Sequence, residues 1–285
     1  MSATTSRGNS FRTKTLPERL AEVFPSGGPL GALRQRLKPI FNRWLARHDE
    51  GFRSELPGGE VVLVAPAFRH ITWNREEYQA FRAAVSLGSI ILEAGSNVGA
   101  YTVLFGQWTG PNGQVYAFEP DPSAFAGLRR HVELNHLGDR VTPVAAAISD
   151  GVQKSLRLVL GESSGISRMA HGDDASAPNV TEVPALSIDA FCAERGLKPN
   201  VIKIDVEGAE LAALRGARQT IAAAGSRLQL FVEMHPALWP ALGYTAEDVE
   251  RECRAQGLTV EHLDGTREGI WTTEGVCLRL RPASA

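Results

Sequence analysis

Cysteine is scarce in this chain, and its three copies are odd in number and far apart. Cys192, Cys253 and Cys277 build neither a disulfide framework nor a Cys-x-x-Cys metal pair, so they read as buried thiols of a reducing compartment. Long apolar runs are missing too. No stretch approaches the roughly 18 residues a membrane span needs, and the first residues carry no apolar signal-peptide core. The expectation is a cytoplasmic protein with no membrane span. A strong excess of one charge is also absent. The formal net charge of −2 gives no support to nucleic-acid binding, although a local basic stripe can hide within such an average. Neither an internal repeat nor a low-complexity tract occurs.

What is present is enough apolar material, 43% of 285 residues, for one large core plus an appended segment. Residues 1–60 read as a basic, partly helical N-terminal extension and residues 61–285 as the main domain. Ser2 to Thr15 are polar and basic without a period. Helical stretches are expected over Pro17–Phe24 and, after Pro25-Ser26-Gly27-Gly28-Pro29, over Leu30–Arg47. Arg34, Arg36, Lys38, Arg43 and Arg47 make the second stretch basic. They suit either the solvated face of a capping helix or a docking surface for an acidic partner, a phosphate or a membrane.

From about residue 60 the rhythm changes to strand–helix alternation. After a strand at Val61–Ala65 and a helix at Arg75–Val85, strands are expected at Ser89–Ala94, Gln114–Glu119, Val141–Ala146, Val201–Asp205 and Leu228–Glu233. Helices are expected at Gly99–Trp108, Pro122–Asn135, Ser187–Arg195 and Glu207–Ala223. Near-continuous apolar strands such as Ile90-Ile91-Leu92 signal a parallel sheet covered on both faces, a doubly wound α/β fold. A helix at Thr245–Gln256 and strands at Leu258–Leu263 and Val276–Leu280 would close it with an antiparallel hairpin. Residues 151–183 form an irregular insertion. Ser155–Leu160 alternates like a strand, but Gly161–Asn179 is rich in Gly, Ser, Asp and Pro, which suits a lid over the ligand edge or a surface excursion.

The chemistry concentrates at the ends of the strands. Ile91-Leu92-Glu93-Ala94-Gly95-Ser96-Asn97-Val98-Gly99 is an apolar strand ending in an acid, followed by a Gly-rich turn that opens a helix. Its glycines let backbone approach a ligand, the acid suits a cationic amino group, and the helix start suits a carboxylate or phosphate. The next strand ends at Glu119, followed by Pro120-Asp121-Pro122. An acid there accepts hydrogen bonds from both ribose hydroxyls and would repel a phosphate, which favours an adenosyl group with free hydroxyls. Gly95 and Gly99 do not complete Gly-x-Gly-x-x-Gly, which argues against a dinucleotide. Ser149 and Asp150, after the third strand, stand where a purine edge could be read or where a turn is simply made.

The fourth strand ends at Asp205, and Glu207 and Glu210 fall in the first turn of the helix after it. The fifth carries Glu233 and His235 on one side. Asp205, Glu207, Glu233 and His235 can therefore converge at one mouth. There His235 or Glu207 could deprotonate an acceptor hydroxyl, or Asp205, Glu233 and His235 could hold a divalent cation such as Mg²⁺, which the sequence does not require. His70, Trp73 and Tyr78, which precede the sheet, suit core packing or a substrate-side wall.

These residues resemble the FkbM-type family of S-adenosylmethionine-dependent methyltransferases. The resemblance rests on Glu-Ala-Gly-Ser-Asn-Val-Gly-Ala-Tyr-Thr at 93–102, Ala-Phe-Glu-Pro-Asp-Pro at 117–122 and Ala-Ile-Ser-Asp at 147–150. It continues through Leu-Ser-Ile-Asp at 186–189, Ile-Lys-Ile-Asp-Val-Glu-Gly-Ala-Glu at 202–210 and Val-Glu-Met-His at 232–235. It implies a Rossmann-like class I fold on a seven-stranded sheet and O-methylation of a hydroxyl on a small molecule, sugar, glycan or natural product. The family often begins its first motif with Asp, where this chain has Glu93. On this reading Glu93, Gly95, Ser96, Asn97 and Gly99 hold the methionine end of the cofactor. Glu119 and Pro120 take the ribose, Ser149 and Asp150 lie near adenine, Asp205 borders both cofactor and acceptor, and Glu207 and His235 face the acceptor. A homo-oligomer is compatible with this reading, and no nucleic-acid partner is expected. The rival readings are a nicotinamide-dependent oxidoreductase and a non-catalytic module that retains cofactor or docks a partner.

Overall fold

In a computed structural model of the chain, the described residues are 10–11, 50–161, 167–170, 174, 179–271 and 275–282. The elements run β1 (Ser10–Phe11), β2 (Phe52–Glu55), β3 (Val61–Val64), β4 (Trp73–Asn74), α1 (Arg75–Ala84), β5 (Ile90–Ala94), α2 (Ala100–Thr109), β6 (Gln114–Phe118), α3 (Pro122–Leu134) and β7 (Val141–Val144). They continue with β8 (Ala147–Ile148), β9 (Ser155–Val159), β10 (Arg168–Met169), β11 (Val180–Leu186), α4 (Ile188–Arg195), β12 (Val201–Ile204), α5 (Glu210–Arg215), α6 (Arg218–Ala224), β13 (Gln229–Met234), α7 (Ala246–Ala255), β14 (Leu258–His262) and β15 (Val276–Pro282).

Seven strands make the central sheet, in the order β14-β15-β13-β12-β5-β6-β7. The ladders from β13 through β7 are parallel, and β15 runs antiparallel between β13 and β14. Apolar strand residues point alternately to the two faces, so each face buries its own core. Leu92, Ile202, Leu230 and Leu278 pack against Phe191, Leu214, Ile221 and Val249 of α4–α7. Ile91, Val115, Val201 and Phe231 pack against Phe81, Phe105, Leu128 and Val132 of α1–α3. The fold is thus doubly wound, as the alternation implied.

The helix starts follow from local chemistry. The Asn74 side chain accepts from the backbone N–H groups of Glu76 and Glu77, and Asp121 caps α3 in the same way ahead of Pro122. Thr245 and Asp248 form a capping box that opens α7.

The structure departs from the sequence reading in four places. The single helix expected over Glu207–Ala223 is two helices, parted at Gly216. A β-carbon on Gly216 would lie 2.0 Å from the Ser149 carbonyl oxygen, so the chain passes there backbone against backbone. Val180–Leu186, unassigned from sequence, is the longest strand of a small sheet ordered β10-β9-β11-β8 that flanks the main one. Phe52–Glu55 pairs with Val61–Val64, so a hairpin crosses the boundary expected near residue 60. Ser10–Phe11 pairs with Trp73–Asn74. The helices expected over Pro17–Phe24 and Leu30–Arg47, with their basic residues, lie outside the described residues, as does most of Gly161–Asn179. Among the described residues, no helix is long and apolar enough to cross a membrane.

Candidate active site

Strand order reverses between β5 and β12, and a parallel sheet opens a crevice at the carboxyl ends of the strands on either side of such a point. A cleft of about 680 Å³, including its open mouth, lies there. Gly95 and Asn97 from the turn after β5 line it, with Glu119, Pro120 and Asp121 after β6. Ala147 and Ile148, Leu158, Ser167, Arg168 and Met169 form a further wall, and Asp205, Val206, Glu207 and Ala209 close the side beyond β12.

The turn after β5 is a backbone device. Gly95 has φ 78° and Asn97 φ 47°, both in the left-handed region. The N–H groups of Gly95 and Ser96 donate to the Phe118 carbonyl at 3.0 and 2.9 Å, which ties the turn to β6. Glu119 Oε2 accepts the Asn97 N–H at 2.7 Å, and its Oε1 accepts the Asp121 N–H at 2.8 Å. Each oxygen keeps a second acceptor site for a ligand. Burial pushes the Glu119 carboxyl up to about 7, against the pull of those two N–H groups. Asn97 Oδ1 is buried and has no hydrogen-bond partner within the protein.

Glu93 stands elsewhere than a ligand-facing acid would. It is 1% exposed beneath the turn, where it accepts from the Thr102 hydroxyl. Burial raises its carboxyl to about 7, partly offset by Lys203 and Thr102. Ser96 is buried, donating to the Glu93 carbonyl at 3.0 Å, and Gly99 is the residue before α2. Ser149 and Asp150 do not line the cleft. They border a neighbouring depression with Gln153, Arg157 and Glu182, while Ala147 and Ile148 hold the cleft wall.

The side beyond β12 brings four acids and a histidine together. Nε2 of His235 lies 3.6 Å from Glu207 and 3.8 Å from Glu233. Its Nδ1 donates to Glu210 Oε1 at 2.9 Å. Glu210 is fully buried and further held by the Gly208 N–H at 2.9 Å and the Trp239 indole N–H at 2.7 Å. Burial alone would lower the His235 pKa; the Glu210 hydrogen bond and charge, then Glu207 and Asp205, outweigh it and hold it at about 9. Burial and the Asp205 charge push Glu233 up to about 8. Asp205, Glu233 and His235 offer ligand atoms within 4.8 Å of one another. Sequence reasoning left two members out. Trp239 carries no local signal of its role, and Lys203, whose ammonium donates to Asp205 Oδ2 at 3.0 Å, looks from sequence like a polar break in a strand.

The methyltransferase FkbM domain matches residues 93–258. Methyltransferase 1 of Beauveria bassiana (strain ARSEF 2860) is 28% identical over 145 residues, 45% of this chain and 58% of that protein. The 31-O-demethyl-FK506 methyltransferase FkbM of Streptomyces tacrolimicus is 29% identical over 157 residues, 45% of this chain and 59% of that protein. The chain therefore matches less than two thirds of the length of either relative. Among solved structures, methyltransferase FkbM from Methylobacillus flagellatus KT gives a TM-score of 0.42 at 18% identity, over 67% of this chain and 43% of that one. A SAM-dependent O-methyltransferase from Thermotoga maritima gives 0.43 at 12% identity, over 74% and 65%. Since the domain match covers more than half of its residues, the chain belongs to the FkbM methyltransferase family, whose cofactor is S-adenosylmethionine.

Proposed function

We propose that the chain is an O-methyltransferase that transfers a methyl group to a free hydroxyl of a small molecule, sugar or natural product. The observation that carries the acceptor side is the His235–Glu210 pair. One ring nitrogen is pinned by a buried carboxylate, and the other is turned to the mouth between Glu207 and Glu233. A ring held that way has a fixed orientation and a single face for proton exchange.

The cofactor side fits the residues present. Gly95 lines the cleft, Glu119 has two unused acceptor sites for a diol, and Asn97 Oδ1 is a buried acceptor lacking a partner. When bound, S-adenosylmethionine supplies an electrophilic methyl on a sulfonium that departs as a neutral thioether. Gly95, Ser96, Asn97 and Gly99 shape the methionine end, with Glu93 acting from beneath the turn. Glu119 and Pro120 orient the ribose. Ala147 and Ile148 lie along the adenine wall, and Ser149 and Asp150 support it from behind. Asp205 and Glu207 orient the acceptor hydroxyl, and His235 or Glu207 takes its proton. Alignment provides most of the acceleration, since little else is demanded of the chain.

Calorimetric titration of S-adenosylhomocysteine, with NAD as control and Glu119→Ala as variant, tests the reading. Micromolar binding, weakened in the variant and absent with NAD, is expected. A folded sample that binds no S-adenosylhomocysteine would overturn it. Screening of hydroxyl acceptors with a labelled methyl donor then tests the O-methyl assignment.

A further inference from the structure

Lys203 lies on a buried strand, with its side chain 4% exposed. Four acids from four different places surround it. Asp205 accepts its hydrogen bond at 3.0 Å, and the carboxyl groups of Glu93 on β5, Glu233 on β13 and Glu77 on α1 lie within electrostatic reach. The Tyr101 ring of α2 covers the ammonium at 5.9 Å. A buried lysine has no water to solvate it and stays charged only where such partners replace that solvation. Here the Asp205 carboxylate is that partner, and burial under the Tyr101 ring leaves the ammonium in the space beside it that another cation would need.

The same acids include two of the three residues that offer metal-ligand atoms, Asp205 and Glu233. A divalent ion on Asp205 would sit a few ångströms from the Lys203 nitrogen, and at that range two cations repel strongly at any dielectric found in proteins. The third member, His235, has its other nitrogen on Glu210, a bond that serves an imidazolium as well as it serves a metal ligand.

We propose that Lys203 is the resident cation of this cluster, occupying the charge-compensating place of a divalent ion among Asp205, Glu233 and His235, and acting as the positioning residue that aims Asp205 at the acceptor. A consequence that rests on the methyl-transfer reading concerns the acceptor. It need not chelate a metal through neighbouring oxygens, so a lone hydroxyl suffices and recognition falls to Asp205, Glu207 and His235.

Manganese binding tests the proposal without any acceptor or turnover. Free Mn²⁺ is followed by electron paramagnetic resonance as it is titrated into the full chain, the Lys203→Met, Lys203→Arg and Lys203→Gln variants, and Asp205→Asn. The wild type should show no Mn²⁺ site that depends on Asp205. Lys203→Met should gain one at least ~10-fold tighter than any wild-type site, because a full charge is removed within a few ångströms of the ion. Lys203→Arg, which keeps the charge, should not gain it. Lys203→Gln carries the comparison if the Met variant fails to fold. Wild-type Mn²⁺ binding lost in Asp205→Asn would overturn the proposal, and so would folded neutral variants that bind Mn²⁺ no better than wild type. Neither result would bear on S-adenosylhomocysteine binding, so failure here is distinct from failure of the methyltransferase reading.

Discussion

A β-carbon placed on Gly95 would lie 1.6 Å from the carbonyl oxygen of Asp205, so the two loops that frame the cleft meet backbone to backbone. The Asp205 N–H in turn donates to the Ala94 carbonyl at 2.9 Å, which locks the same junction from the other strand. The switch point is therefore a close-packed seam between the turn after β5 and the loop after β12.

Gly95→Ala should accordingly fail in two ways. The left-handed φ costs an L-residue roughly 1–2 kcal/mol by itself, and the new methyl must also push β5 and β12 apart. The expected outcome is a lowered melting temperature together with loss of detectable S-adenosylhomocysteine binding. A variant with wild-type affinity would mean that the seam relaxes without cost and that Gly95 is not required for close approach.

The parts of this site that could be read from sequence are those written in a short stretch of chain. An apolar run ending in Glu93 and a glycine turn, or in Glu119 or Asp205, marks a strand end at the ligand edge because strand ends and turns are local features. Distant pairings are not visible in the same way. Glu210 was equally readable as a helix-start acid, and only folding brings Trp239 and His235 to its two oxygens. β11 is poorly marked in sequence because it contains Pro184 and only Val183 and Ala185 of its residues are buried, which leaves a weak alternation. The break between α5 and α6 leaves no local mark, because Gly216 is governed by Ser149, far away in the chain. Glu93 was expected to face ligand. Its burial depends on Thr102, in the helix that follows, and on Lys203, distant in the chain but its register partner across the β5–β12 ladder.

Glu119 ties the two turns together, so its charge can be removed with little change in shape. In Glu119→Gln the amide presents N–H groups to one of the two backbone donors it now satisfies and cannot accept from both ribose hydroxyls. Leaving such groups unpaired costs about 1–3 kcal/mol, and S-adenosylhomocysteine affinity should fall by roughly tenfold to a hundredfold on that account. Isothermal titration reads the change directly. An unaltered Kd would place the ribose elsewhere in the cleft.

Glu93 predicts a pH dependence of stability. Its folded pKa, about 7, lies above the ordinary 4.5, so the folded state binds the proton more tightly than the unfolded chain. Its contribution is complete below about pH 4.5 and is lost as pH rises through 7, with an order of magnitude of ~3 kcal/mol for a fully buried group. Glu93→Gln keeps the Thr102 hydrogen bond and removes the titration. Urea unfolding of both proteins between about pH 5 and about pH 8 should show the wild type losing stability relative to the variant across that range. Parallel curves would mean that Glu93 ionises in place without penalty, with Lys203 fully compensating it.

His235 predicts a second dependence in a different window. Its pKa, raised from 6.5 to about 9, means that the folded chain stabilises the imidazolium. That stabilisation is complete below pH 6.5 and is lost as pH rises through 9. Nuclear magnetic resonance of the ring should show a midpoint near 9 in the wild type. It should show a clearly lower one in Glu210→Gln, where the Glu210 charge is gone and burial remains. If His235 is the base, it must be neutral to accept a proton, so turnover with any acceptor should climb with pH towards 9 and level off above it, and the rise should move to lower pH in Glu210→Gln. His235→Ala should lower turnover by roughly 10²–10⁴-fold with S-adenosylhomocysteine affinity nearly intact. A pH profile flat between 6.5 and 9, with the ring midpoint still near 9, would instead assign proton removal to Glu207 and leave His235 as the charged residue that orients the acceptor.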